Sequence, residues 1–449
     1  MSLGLAQADS LHRYQAFVGA TLIDGTGGAS RPDTTVLIEN EHISAVGNRS
    51  ELAIPKDARV FDVGGKWIVP GLIDAHVHFF QSGGLYTRPD VIDLRAVRPY
   101  AEEIAGIRER LPATLAHYLA SGVTSVVDMG GPNWTFEVRE LARRRMQAPR
   151  VAMAGPLIST TLPSALKSGD PPIAQVKSPE EARSAVRRQI YRRPDLIKIW
   201  FIPAWGLPLF MQIDWVAAAI EESHAQGLRI AVHATELEVA RAAVEAGADI
   251  LVHSVRDRRV DGHFIQLLKK RAVLYVTTLA LNEGYREVLQ EKVELTEFER
   301  RVGDPEVLAT LDDLEALPPW KRWSQWLTHW PGPEYMFWNL KRLHANGIHI
   351  AAGSDAGNIG TLHGVRLHRE LELMAEAGLP PAEILTAATL GGARVMGRAA
   401  ELGTLEPGKL ADLLVLEADP LADIRNLRRI HSVVKGGRVF DPEAILDKR

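Results

Sequence analysis

The sequence predicts an α/β fold, a (β/α)8 TIM-type barrel carrying a small β-sandwich domain built from both termini. Three observations carry that expectation. The middle of the chain alternates apolar runs with helical patterns, both ends read as strands, and chemistry-bearing residues recur where the apolar runs end. At 449 residues the chain is longer than one small core organises, so a large domain with a satellite is expected.

The satellite draws on both ends. Thr35-Val36-Leu37-Ile38 and His42-Ile43-Ser44-Ala45-Val46 are apolar patches separated by polar turns, and the same texture returns in Leu413-Leu414-Val415-Leu416. Ser432-Val433-Val434 then passes through Gly436-Gly437 into Arg438-Val439-Phe440, a hairpin pattern. The expected small domain is residues 12–68 plus 399–445.

The barrel is expected over 69–398. Its eight apolar runs are Ile73–His78, Val123–Asp128, Arg150–Ala154, Leu196–Trp200, Arg229–His233, Ile250–His253, Val273–Thr277 and Ile348–Asp355. Trp215–Gln226 and Val239–Ala246 are among the helical patterns between them. One interval breaks the rhythm: an aromatic-rich insertion at about 279–345, too long for a plain connecting loop, holds five tryptophans. Trp320, Trp323, Trp326 and Trp330 are spaced near the helical period, which fits the buried face of an inserted helix, an aromatic lid or a dimer contact; Trp338 follows.

Composition narrows the function classes. A formal net charge of −4 gives neither nucleic acid nor an anionic membrane a reason to bind, and no apolar run reaches the length of a membrane span. With no cysteine, disulfides and thiolate metal sites are excluded, so a metal must be held by His, Asp, Glu or a modified residue. The polar N-terminus lacks the apolar core of a signal peptide; a trimmed leader would leave no trace, so the compartment stays open, with cytoplasmic as the default.

The strongest local signal is Asp74-Ala75-His76-Val77-His78 at the end of an apolar strand, where alternate side chains share a face. His233 ends the fifth run, His253 the sixth and Asp355 the eighth, and strand C-termini of a barrel converge on one mouth. A histidine pair alone is as often structural; four histidines and an aspartate at strand ends point to a metal site. Lys198 sits within Leu196-Ile197-Lys198-Ile199-Trp200, where a buried ammonium is costly and its pKa is driven down toward a neutral, nucleophilic amine.

Gly71-Leu72-Ile73-Asp74-Ala75-His76-Val77-His78 resembles the first-strand signature of the amidohydrolase superfamily. Leu402-Gly403-Thr404-Leu405-Glu406-Pro407-Gly408-Lys409-Leu410-Ala411-Asp412 resembles the segment by which its chains return to the small β domain. Within the superfamily the chain is similar to the imidazolonepropionase-like and prolidase-like group, which includes dipeptidases and carboxypeptidases. The resemblance implies two divalent metal ions, with zinc the expected element and manganese, cobalt or iron as substitutes. It places His76, His78 and Asp355 on the more buried ion, His233 and His253 on the other, and a carbamate on Lys198 bridging both.

The activity so implied is hydrolysis of an amide C–N bond in a small substrate such as a dipeptide or acyl-amino acid. A metal-bridging hydroxide would attack while Asp355 shuttles the proton. A cyclic amide, imide or lactone is the alternative substrate class, and a non-catalytic barrel scaffold the remote one. His363, in Thr361-Leu362-His363-Gly364, is a candidate catalytic residue that binds substrate or donates to the oxyanion. Asp128 reads as a salt-bridge partner or a support for the site, with the salt bridge favoured; Tyr285, Arg286 and Arg369 are candidate clamps for a substrate carboxylate. Arg229, at a strand start, falls on the far face and receives no role. A homo-oligomer is expected.

Overall fold

The computed structural model describes residues 12–446 except 205, 207, 291 and 317–331. Eight parallel strands form the barrel: Leu72–Val77, Val123–Asp128, Arg150–Met153, Ile197–Trp200, Ile230–His233, Ile250–Val252, Leu274–Thr277 and Ile350–Ala352. Each lies on one of the apolar runs read from the sequence. They pair in two arcs, first to third and fourth to eighth. Backbone bonds close the ring: Asp195 N–H donates to Met153 O at 2.9 Å across one seam, and Asp355 N–H to His76 O at 2.8 Å across the other.

Alternation decides what faces the axis. Lys198 registers with Ala231, and Ala231 with Ile250, and both Ala231 and Ile250 belong to the barrel-interior cluster with Val276 and Ala351. The flanking Ile197, Ile199, Ile230 and Val232 pack outward against the helices. Helix Asp214–Ala225 meets them with Trp215, Val216, Ala219 and Ile220, a stripe at helical spacing. Helix Pro179–Ile190 starts where it does because Ser178 accepts from Glu181 N–H and proline occupies its first turn.

The β-rich unit from both termini comprises Tyr14–Leu22, Arg31–Glu39, His42–Asn48, Arg59–Asp62, Trp67–Pro70, Leu413–Leu416, Ile430–Lys435 and Arg438–Phe440. Hydrogen bonding joins these eight strands, drawn from both termini as expected, into one continuous sheet. The two termini meet where Trp67–Pro70 pairs antiparallel with Leu413–Leu416. Leu413 and Val415 face the sheet's own core with Phe17 and Ile68, while Leu414 and Leu416 join the cluster that includes barrel-helix residues Leu115 and Leu119.

Between the seventh and eighth strands lie helices Leu279–Leu289, Glu297–Val302, Pro305–Ala309 and Glu334–Ala345. Trp338, on the last of these, is partly buried against the cluster containing Leu343. The helical pattern through Trp320, Trp323, Trp326 and Trp330 lies outside the described residues. Among the described residues no helix is long and apolar enough to cross a membrane.

Candidate metal centre

The C-terminal ends of the strands carry the cluster. His76 Nε2 and His78 Nε2 lie 3.2 Å apart, and Asp355 Oδ1 lies 3.5 Å from the first and 3.4 Å from the second. Ligand atoms about 2.1 Å from one tetrahedral ion are separated by about 3.4 Å, so these three already have the spacing of a shared cation. His253 Nδ1 is 3.7 Å from Asp355 Oδ2, and the rings of His233 and His253 are 4.3 Å apart. A second group of donors thus adjoins the first across Asp355.

The local backbone is built to hold this crowding. Asp74 accepts from His76 N–H at 3.2 Å and Ser354 N–H at 2.9 Å, which ties the first strand to the eighth. His78 N–H donates to Ala356 O at 2.8 Å. His253 and Asp355 both have positive φ, +77° and +55°, a conformation costing of order 1–3 kcal/mol for residues other than glycine. Two of the clustered side chains are aimed by strained backbone.

Hydrogen bonds set the tautomers. His78 Nδ1–H donates to Gly130 O at 2.7 Å, leaving Nε2 with its lone pair toward Asp355 and His76. Gly130 is fixed in turn by Asp128, whose carboxylate accepts from Gly130 N–H at 2.8 Å and Phe79 N–H at 3.3 Å. Asp128 forms no salt bridge among the described residues; the favoured sequence reading gives way to a carboxylate spent on two backbone amides. Burial pushes its pKa up to about 7.

Lys198 supplies the test of whether a metal group fits. Its side chain is 1% exposed, and Nζ has no hydrogen-bond partner. Burial lowers its pKa, an effect Asp355 opposes. His76 Nδ1 is likewise buried without a partner. Burial lowers the pKa of all four histidines, that of His78 to about 3, and Lys198 presses each in the same direction. Neutral imidazoles, a carboxylate and an orphaned amine make a donor set that fits divalent cations and leaves a buried amine for modification.

A cavity of about 770 Å³ opens above these groups, with His78, Lys198, His233, His253 and Asp355 at its base. Leu157, Leu166, Ile173 and Trp200 supply an apolar wall. Opposite them, Arg88 pairs with Asp90 through two bonds of 2.7 and 2.8 Å, donates to Tyr285 Oη at 3.0 Å and also reaches Asn358. Asn358 Nδ2 donates to Asp355 Oδ1 at 2.9 Å. Sequence reasoning missed Arg88, Asn358 and Arg256; the last two follow Asp355 and His253 by three positions, a signal available from strand ends, whereas Arg88 lies in a loop without periodicity.

His363 is not brought to this cluster. It lines a separate small cavity; its Nε2–H donates to Gln81 O at 2.8 Å and its Nδ1 accepts from Tyr118 O–H at 2.7 Å. With both nitrogens engaged and its ring stacked on Phe79 at 5.6 Å, it has no lone pair or proton to offer a substrate. Of the three expected clamps, only Tyr285 lines the large cavity. Arg369 is bound to Glu283, Glu372 and Glu376, and Arg286 lines a different surface depression.

A model of the family described as "Amidohydrolase family" matches residues 67–440. The chain belongs to the amidohydrolase family. Among curated relatives, amidohydrolase similarity includes an imidazolonepropionase of Cupriavidus pinatubonensis, 31% identical over 140 residues, covering 26% of this chain and 31% of the relative. The chain's matches span less than half the length of the curated relatives. A solved molinate hydrolase covers 97% of this chain and 96% of its own at 22% identity with a TM-score of 0.73. A Xaa-Pro dipeptidase with bound methionine covers 95% and 100% at 22% identity with a TM-score of 0.71. At that identity both show the shared fold.

Proposed function

We propose that this amidohydrolase is a binuclear-metal hydrolase that cleaves an amide C–N bond of a small substrate such as a dipeptide or acyl-amino acid. The observation that carries the reading is the convergence of His76, His78, His233, His253 and Asp355 around the partnerless buried amine of Lys198. The names of the structural neighbours, a dipeptidase and a molinate hydrolase, agree with it. Divalent ions bound there, zinc for preference, would polarise a carbonyl and make water a nucleophile at neutral pH.

The chain's own residues divide the remaining work. His76, His78 and Asp355 would hold one ion, and His233 and His253 the other. Addition of the Lys198 amine to carbon dioxide, forming an N–C bond and releasing one proton, would give a carbamate able to supply further oxygen ligands. Asp355 faces the base of the cavity, where it takes a proton from the attacking water and returns it to the leaving nitrogen. The Arg88–Asn358 pair keeps that carboxylate turned toward the reacting atoms. The wall of Leu157, Leu166, Ile173 and Trp200 receives an apolar part of the substrate and excludes water. His363 holds Gln81 and Tyr118 in place and has no part in the chemistry.

The test is metal analysis joined to a substrate panel of dipeptides, acyl-amino acids, cyclic imides and lactones. Close to two divalent ions per chain and turnover of a linear amide are expected. The same donors serve a cyclic amide, imide or lactone, so turnover confined to those would move the substrate class. Less than one ion per chain with no gain on adding zinc, and no turnover of any member, would leave only a scaffold.

A further inference from the structure

The far end of the barrel, away from the metal centre, holds a second large cavity of about 650 Å³. It opens at the N-terminal ends of the third, fourth and fifth barrel strands, where the β-rich unit and the segment after helix Gly392–Met396 adjoin them. Five of its lining residues are cations, Arg143, Arg150, Arg229, Arg398 and Lys435, against one carboxylate, Asp195.

Asp195 and Asp412, beside the cavity, are already committed. Asp195 Oδ2 accepts from Arg139 Nη1 and from Met153 N–H, each at 2.9 Å. Asp412 takes both arms of the Arg150 fork, at 2.8 and 3.0 Å, and also Gly436 N–H at 2.7 Å. Glu140 pairs with Arg143, and Glu401 with Arg398.

Two cations have no such partner. Arg229 donates only to carbonyls, Arg394 O at 2.7 Å and Val395 O at 2.6 Å, and forms no ion pair among the described residues. Its guanidinium lies so close to Gly397, a left-handed residue at φ +79°, that a Cβ there would sit 2.8 Å from Nη2. Backbone thus holds a full positive charge in place at the cavity wall. Lys435 likewise forms no ion pair or side-chain hydrogen bond among the described residues, although Asp412 and Glu41 are near enough to act on it through space. Burial lowers its pKa to about 8, and Arg150 and Arg438 push the same way. Carboxylates act on these two cations only through space, Asp249 on Arg229 and Asp412 and Glu41 on Lys435, so an anion in direct contact would relax the pocket.

We propose that this cavity is a binding site for a small multivalent oxyanion, a phosphate or polycarboxylate group, with Lys435 and Arg229 as its principal contacts. Arg229 spends two of its five N–H groups on carbonyls, so the remaining donors and the Lys435 ammonium are left for an oxyanion, and the cavity has room for an organic substituent attached to one. The site is separate from the metal centre and does not depend on the reaction proposed there.

Thermal unfolding of the full-length, metal-loaded protein with rising inorganic phosphate, and separately with succinate, tests this at low ionic strength. Three proteins are compared: wild type, Lys435→Ala, which removes no ion pair or hydrogen bond and so keeps the fold, and His233→Ala, which alters the metal centre. Stabilisation by either anion in wild type and in His233→Ala, with affinity about tenfold weaker in Lys435→Ala, supports the site. Which anion acts names the oxyanion class. No stabilisation in wild type, an undiminished one in Lys435→Ala, or one that vanishes in His233→Ala overturns it.

Discussion

Asn358 Nδ2 donates to Asp355 Oδ1 at 2.9 Å, and that same oxygen lies within 3.5 Å of both His76 and His78. One amide therefore orients the carboxylate that faces the donor cluster, and Arg88 orients the amide. Removing Asn358 leaves the carboxylate in place and frees its rotation. Asn358→Ala is expected to lower kcat by about 10–100-fold with metal content changed little, a range typical of supports for metal sites. Turnover and metal stoichiometry of the variant check this; wild-type kcat would detach Asn358 from the chemistry.

Lys198 is the group whose ionisation the fold changes most consequentially. Burial drives its pKa below the ordinary lysine value of 10.5, so a neutral amine, the form the proposed carbamate requires, is already present near neutral pH. Metal-stripped enzyme given zinc at a fixed concentration of dissolved carbon dioxide should regain activity faster as pH rises, reaching its plateau well below pH 10. A plateau reached only beyond pH 10 would contradict the desolvation argument. Lys198→Ala should lose activity and metal, with partial rescue by short-chain carboxylic acids that replace the carbamate.

Much of this arrangement was legible in the sequence because barrel strands carry their register into space. His76, His78, Lys198, His233, His253 and Asp355 lie on or just beyond strands whose C-terminal ends converge by topology, so position along an apolar run was enough to gather them. Loop residues have no such rule. His363 follows the eighth strand closely, yet the turn through Asn358–Thr361 carries it behind Gln81, where Tyr118 completes its bonding. Arg88 reaches the site from a loop whose course no periodicity encodes, and Asp128 looked like an ion-pair partner because a sequence does not reveal which backbone amides stand free. The pairing order of the terminal strands was hidden for a related reason: alternation reveals which strands have an apolar face, and not which strands pair.

Asp128 supports the candidate metal centre at one remove. It holds the Gly130 segment whose carbonyl fixes the ring of His78. Asp128→Ala should weaken metal affinity by about 10–100-fold, the range for outer supports of a ligating histidine, while His78 itself is untouched. Competition against a chelator measures this, and an unchanged affinity would make the Asp128–Gly130 bond a loop-stability feature alone.

Acid should act partly through a histidine outside the donor cluster. His368 is buried, donates from Nε2 to Ser121 O at 2.9 Å, and has its pKa lowered to about 3 by burial, with Arg428 adding to the effect. Its folded value lies below the unfolded one, so the unfolded chain binds the extra proton and stability falls as pH drops below about 6.5. The buried carboxyls of Asp74 and Glu370, raised to about 7, work in the opposite sense, so only a difference between proteins isolates the histidine. Between pH 6.5 and 4, wild type should lose up to about 3 kcal/mol more stability than His368→Gln. Parallel curves for the two proteins would show that His368 is not held neutral.

The joint between barrel and sheet rests on the Arg150–Asp412 fork. Arg150 begins the third barrel strand, and Asp412 precedes the strand that returns the chain to the terminal sheet, 262 positions away along the sequence. Asp412 is 4% exposed and serves Gly436 N–H as well, so losing the guanidinium leaves a buried carboxylate with one amide for compensation. Breaking a fully buried pair costs about 3–5 kcal/mol; Arg150 is 21% exposed and water partly screens it, so about 2–3 kcal/mol is expected for Arg150→Ala. Asp412→Asn keeps an acceptor for Gly436 and should cost less. Because neither residue touches the metal centre, both variants should retain wild-type kcat at temperatures where they stay folded. Denaturant unfolding joined to kinetics separates the two effects, and a loss of kcat without a loss of stability would mean that the joint communicates with the cavity at the other end of the barrel.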